Sequence, residues 1–173
     1  MGSKNLEDLE PEFQKSLRNF IEALKEAGAV VRVAATYRPP ERAWLMHWSH
    51  LLSRGEVNAS KIPAKLGVGI QWGHGEESKS IAAAKEMAEI FEISHLGTSP
   101  AIISRHTQRK AVDMNVSWSG SLVVCDATGN SITIDTEPKT GMSEKLHAVG
   151  KSYGVIKFWK GAKDKPHWSV DRR

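Results

Sequence analysis

Apolar positions near the start of the chain recur every three or four residues. Phe13, Leu17, Phe20, Ile21 and Leu24 fall on one stripe, which predicts an amphipathic helix from about Glu10 to Ala29. Pro11 suits its first turn and Gly28 its stop. Val30 to Thr36 is short and rich in β-branched residues, so it predicts a strand; Tyr37-Arg38-Pro39-Pro40 then ends regular pairing. A second helix is expected from Glu41 to Leu52, with Trp44, Leu45, Trp48 and Leu51 on its stripe. Ser53 to Glu77 is glycine-rich and reads as loop, and Ser78 to Phe91 as a third helix capped by Ser78 or Ser80.

After residue 100 the pattern shortens. Ile102-Ile103, Ala111 to Val116, Ser121 to Cys125 and Ser131 to Ile134 are candidate strands, separated by turn residues such as Ser119-Gly120 and Thr128-Gly129-Asn130. A final helix is expected from Ser143 to Tyr153, stopped by Gly154, and then a strand from Val155 to Trp159. Helices before a cluster of strands predict an α+β fold, with a small antiparallel or mixed sheet flanked by helices. The 173 residues suffice for one domain with a real core, expected from about Leu9 to Ser169.

Composition narrows the classes. Hydrophobic residues at 40% and charged residues at 25% are ordinary for a globular protein. A single cysteine excludes an internal disulfide and a tetrathiolate metal site, and Cys125, following Leu122-Val123-Val124, is expected to be buried. The polar N-terminus lacks the apolar stretch of a secretory signal, and no run has the length of a membrane span. The expectation is therefore a chain made in the cytoplasm without membrane insertion. The net charge of +4 is spread along the chain and accompanies no nucleic-acid motif, so nucleic acid is not expected as a partner.

Two segments carry candidate chemistry. In the first, His106 precedes Asp113 by seven residues. An odd separation on one strand would put them on opposite faces, so a turn at Gln108 to Lys110 is expected between them. In the second, Asp164 precedes His167 by three, with Pro166 between. Two imidazoles and a carboxylate suit one Zn²⁺ ion and leave an open position, while a spare carboxylate can serve as base. Arg38, at a strand end, could supply a fixed cation for a carboxylate or an oxyanion. With seven histidines in the chain, such a pattern also arises from ordinary surface or core residues.

The remaining candidates have a plainer reading beside a functional one. His47 and His50 are expected to pack or face solvent, His74 to be a loop residue, and His95 and His147 belong to no constellation. Trp118 and Trp159 are expected in the core, whereas Trp168 is placed near the metal by its neighbour His167. Glu76, Glu77 and Asp171 read as solvated charges.

Ser104-Arg105-His106-Thr107-Gln108-Arg109-Lys110-Ala111-Val112-Asp113 resembles the Ser-x-His-x-x-Gly-x-Ala-x-Asp motif of the zinc D-alanyl-D-alanine carboxypeptidase and dipeptidase family, which includes phage L-alanyl-D-glutamate endopeptidases. Asp164 to Trp168 is similar to the family's acidic-x-x-His segment, and Thr36-Tyr37-Arg38 to its Gly-Tyr-Arg-Ser segment. The three occur in the family's order over roughly Leu9 to Ser169. Arg109 stands where the motif has Gly, and Pro39 where it has Ser.

The resemblance implies the family's Hedgehog-like fold, one Zn²⁺ held by His106, Asp113 and His167, Asp164 as general base and Arg38 on the substrate or transition state. Ser104, Tyr37 and Trp168 would contact substrate. The implied activity is hydrolysis of an amide bond in the peptide stems of bacterial peptidoglycan, as in a phage lytic endopeptidase acting on the wall after release. A D,D-carboxypeptidase or dipeptidase, and an inert zinc-containing binding module, are the alternatives. The expected form is a monomer of one catalytic domain, with no separate wall-binding domain.

Overall fold

A computed structural model describes residues 2–158, 160 and 163–172 of the chain. Its described residues form an α+β arrangement of four α-helices and six short strands, all paired antiparallel. The chain divides into two compact units, one made of Gly2–Arg38 with Ser104–Arg173, the other of Pro39–Ile103.

In the first unit, helix α1 (Pro11–Glu26) begins where the Glu10 side chain accepts a hydrogen bond from the Phe13 N–H at 3.2 Å. The expected stripe is the one it buries, Phe13, Leu17, Phe20, Ile21 and Leu24. The helix stops as predicted at Gly28, whose φ of 88° lets Ala29 N–H reach the Leu24 carbonyl at 2.9 Å. Strand β1 (Val30–Ala35) follows. It pairs with β2 (Ala111–Ser117), which pairs with β6 (His167–Ser169), which pairs with β5 (Ile156–Lys157). Strands β3 (Leu122–Cys125) and β4 (Ser131–Ile134) form a separate hairpin.

Helix α4 (Glu144–Ser152) closes on the same core through Leu146, Val149 and Gly150. At Gly150 a Cβ would stand 2.7 Å from the Val155 carbonyl oxygen and 2.9 Å from the Trp168 ring, so only glycine fits there.

The second unit is helical. Helix α2 (Pro40–Ser53) and helix α3 (Glu77–Ile90) meet around Met46, Ala88 and Ile93, and around Leu52, Ala59 and Ala84. Both expected histidines pack, His47 through Nδ1 on the Pro100 carbonyl and His50 through Nε2 on that of Leu96, each at 2.9 Å. Among the described residues no helix is long and apolar enough to cross a membrane.

Four expectations of the sequence are corrected. Ile102-Ile103 is not a strand but a bend, and Ile103 is largely exposed, so it lacks the burial that its apolar type suggested. Neither Ser78 nor Ser80 caps α3; the helix starts at Glu77, and the Ser80 hydroxyl instead bonds the Glu76 carbonyl. Cys125 is exposed, because Leu122 and Val124 take the inward positions of β3 and strict alternation turns Cys125 outward. On α2, Leu45, Trp48 and Leu51 are only half-buried, while Met46, Ser49 and His50 are inside. Trp159 lies outside the described residues.

Candidate metal centre

Strand register brings two of the candidate ligands together. Asp113 on β2 lies directly opposite His167 on β6, so their side chains leave the same face of the sheet as neighbours. The next pair, Val112 and Trp168, points to the opposite face and into the core. On the other side of Asp113 stands Ala35, where the β1–β2 register shifts between Val33 and Ala35, an irregularity of the kind that re-aims side chains.

His106 arrives from the turn that precedes β2. The turn runs over residues 105–109, closed by Lys110 N–H on the Arg105 carbonyl at 2.8 Å and Arg109 N–H on that of His106 at 3.2 Å. Arg109 has a φ of 63°, in the left-handed region that glycine enters freely and a side chain enters at a cost of roughly 1–2 kcal/mol. The residue that stands where the motif has Gly is thus one with a positive φ. The Arg109 guanidinium lies 4.5 Å from the Tyr37 ring centre, a cation–π contact worth ~0.5–1 kcal/mol that offsets part of the cost. Tyr37 is thereby engaged within the unit. Ser104 is also used locally, exchanging hydrogen bonds with Thr107: its N–H donates to the Thr107 hydroxyl at 3.0 Å.

The three candidate ligand atoms form a nearly equilateral triangle. His106 Nε2 to Asp113 Oδ1, His106 Nε2 to His167 Nδ1, and His167 Nδ1 to Asp113 Oδ1 are each 3.2 Å. Both imidazoles are buried. Bonds of about 2.0–2.1 Å at the tetrahedral angle would separate two ligand atoms by about 3.3–3.4 Å, so the triangle has the dimensions of one face of such a site. The protonation of His106 agrees with it. Its Nδ1 stands 2.6 Å from the Thr36 carbonyl, which can only accept, so Nδ1 carries a proton and Nε2 is the nitrogen left to meet a cation. The donor set therefore fits a divalent cation, and these three residues are close enough to hold one.

Thr36 is the partner the sequence did not reveal, because a backbone carbonyl leaves no compositional mark. It is itself held by its N–H on the Ser3 carbonyl and its hydroxyl on that of Asn5. A second unforeseen contact is the forked pair of Arg105 with Asp171, which ties the His106 turn to the C-terminal segment. Asp171 is thus a paired residue, not the solvated charge expected.

Asp164 stands outside the triangle, its Oδ2 3.9 Å from His167 Nδ1, with its side chain 49% exposed. Partial burial, together with the negative charge of Asp113, raises its carboxyl above the ordinary value, against the opposing pull of His167, His106 and Lys157. Asp113 goes the other way. Burial pushes it up, but hydrogen bonds and charge from both histidines outweigh that and hold it well below the usual carboxylate range.

Arg38 joins the site through its backbone, donating to the His106 carbonyl at 3.2 Å. Trp168 does not join it. The indole has no exposed surface and packs against Phe20 at 5.6 Å and His147 at 5.6 Å, so alternation on β6 removes it from the substrate contacts expected of it. Phe158 instead lies edge-on to His167, with ring centres 5.8 Å apart. A cleft of about 430 Å³ is lined by Phe158 with His147, Lys151, Ile156, Lys157 and Arg172. No protein-family model matches the chain, and no curated protein matches it.

Proposed function

We propose that this chain is a zinc peptidase acting on the peptide stems of bacterial peptidoglycan, with the fold of the zinc D-Ala-D-Ala peptidases. The reading is carried by one observation, the 3.2 Å triangle of His106, Asp113 and His167 with the Asp164 carboxylate 3.9 Å from one corner. A base that stays off the metal but within a water's reach of it is what hydrolysis by this donor set requires. Zn²⁺, when bound, supplies a Lewis acid that polarises an amide carbonyl and acidifies water to a pKa near ~7.

The chain's own residues do the rest. Asp164 takes a proton from the attacking water, holds it on a carboxylate and passes it to the leaving amine. Its half-exposed position gives it both a path to solvent and a view of the site. Asp113, held ionised by the two imidazoles, keeps one negative charge in the ligand set. Arg38 springs from the backbone bonded to His106 and supplies a cation for developing negative charge. Lys151 and Arg172, on the cleft beside Phe158, give that cleft a positive lining suited to the carboxylates of a peptide stem.

The test is digestion of purified peptidoglycan followed by mass spectrometry of the released fragments. Fragments ending at an internal stem bond, L-Ala–D-Glu above all, are expected. Release of terminal D-alanine alone would move the assignment to a carboxypeptidase, and intact peptidoglycan at every dose would remove the peptidase reading.

A further inference from the structure

Lys157 is a charged side chain beside the site to which the chemistry above assigns no step. It lies on β5, opposite Trp168 of β6, and is only 5% exposed. Lysine is among the residues least often buried without a partner. Here its Nζ donates to three main-chain carbonyls, those of Asp164 at 3.4 Å, Lys165 at shorter range and His167 at 3.1 Å. An ammonium has three donors, so its capacity is met by one stretch of chain. The same Nζ lies 5.1 Å from the centre of the Trp168 ring.

The stretch it grips is the one that carries the base and a ligand. The turn from Asp164 to His167 has one internal backbone bond, His167 N–H to the Asp164 carbonyl at 3.3 Å. Three carbonyl dipoles converging on one point repel each other, and a buried cation is what reconciles them. The ammonium bonds the backbone carbonyls of both the base residue and the ligand residue. Outer contacts of this kind set ligand direction, and losing one typically weakens a metal site by about 10–100-fold.

We propose that Lys157 is a positioning residue, whose ammonium holds the Asp164–His167 turn so that base and ligand face His106 and Asp113 together. The inference rests on the metal-centre reading above. Lys157 touches neither the ligand atoms nor substrate; it acts through the backbone of the residues that do.

The experiment is zinc affinity by competition with a chromophoric chelator, run with thermal unfolding on the same samples. Lys157→Met keeps the length of the side chain and its packing on Trp168 but removes the charge and all three donors. Zinc binding is expected to weaken about 10–100-fold. Val124→Ala, a buried change in the β3–β4 hairpin, is the control: it should lower the melting temperature yet leave zinc affinity within about twofold of the unaltered chain.

Zinc affinity of Lys157→Met equal to that of the unaltered chain would overturn the inference alone. So would an equal loss in Val124→Ala, since the effect would then be general destabilisation. An unaltered chain that takes up no zinc would overturn the metal centre and the inference with it. Should Lys157→Met not fold, Lys157→Arg carries the test. It keeps a cation but replaces three rotatable donors by a planar fork, so affinity about threefold to tenfold lower supports the positioning role, and unchanged affinity overturns it.

Discussion

Asp164→Ala is expected to lower peptidoglycan hydrolysis by roughly 10²–10⁴-fold, the usual contribution of a positioned general base, while zinc stoichiometry stays near one per chain. The separation of the two effects is the substance of the prediction. Asp164 Oδ2 stands 3.9 Å from His167 Nδ1, whereas the ligand atoms are mutually at 3.2 Å, so its removal leaves the ligand triangle complete. Its side chain is 49% exposed, and truncation there empties no core. Asp164→Asn should behave like the alanine variant, since an amide cannot take the proton. Full activity in either variant would remove Asp164 as the base.

The mirror-image result is expected for His106→Ala. Zinc affinity should fall by more than about a hundredfold, beyond what losing an outer contact alone costs, and activity should fall with it at limiting zinc. His106 is buried and its Nδ1–H serves the Thr36 carbonyl, so the variant also leaves a buried acceptor without its partner. That loss costs the fold about 1–3 kcal/mol, which calls for circular dichroism on the same preparation. A folded His106→Ala chain that binds zinc as tightly as the unaltered one contradicts the ligand assignment. Comparing the two variants separates metal binding from proton transfer, which activity assays by themselves would merge.

Much of the helical frame was legible because α1 writes its burial into the spacing of Phe13, Leu17, Phe20, Ile21 and Leu24. The odd interval between His106 and Asp113 demanded a turn, and the turn is there. Long-range facts left no such trace. Strand β6 is three residues long and reads in sequence as a motif, not as a strand; its pairing with β2, which aligns Asp113 with His167, is decided by the rest of the sheet.

The errors at Trp168 and Cys125 share one cause. Adjacency in sequence was read as adjacency in space, whereas alternation on a strand sends neighbours to opposite faces. Lys157 did leave a signal, a lone charge within Val155-Ile156-Lys157-Phe158, and a charge in an apolar run is a sign of a buried partner. Arg109 shows the converse case, a residue of the wrong type for its conformation that nonetheless takes a φ of 63° and stacks on Tyr37.

The most direct test of the central claim is diffraction from zinc-soaked crystals at energies on either side of the zinc absorption edge. One anomalous peak per chain is expected, bounded by His106 Nε2, Asp113 Oδ1 and His167 Nδ1 at about 2.0–2.2 Å. A zinc peak located elsewhere, or none between these three atoms, would contradict it.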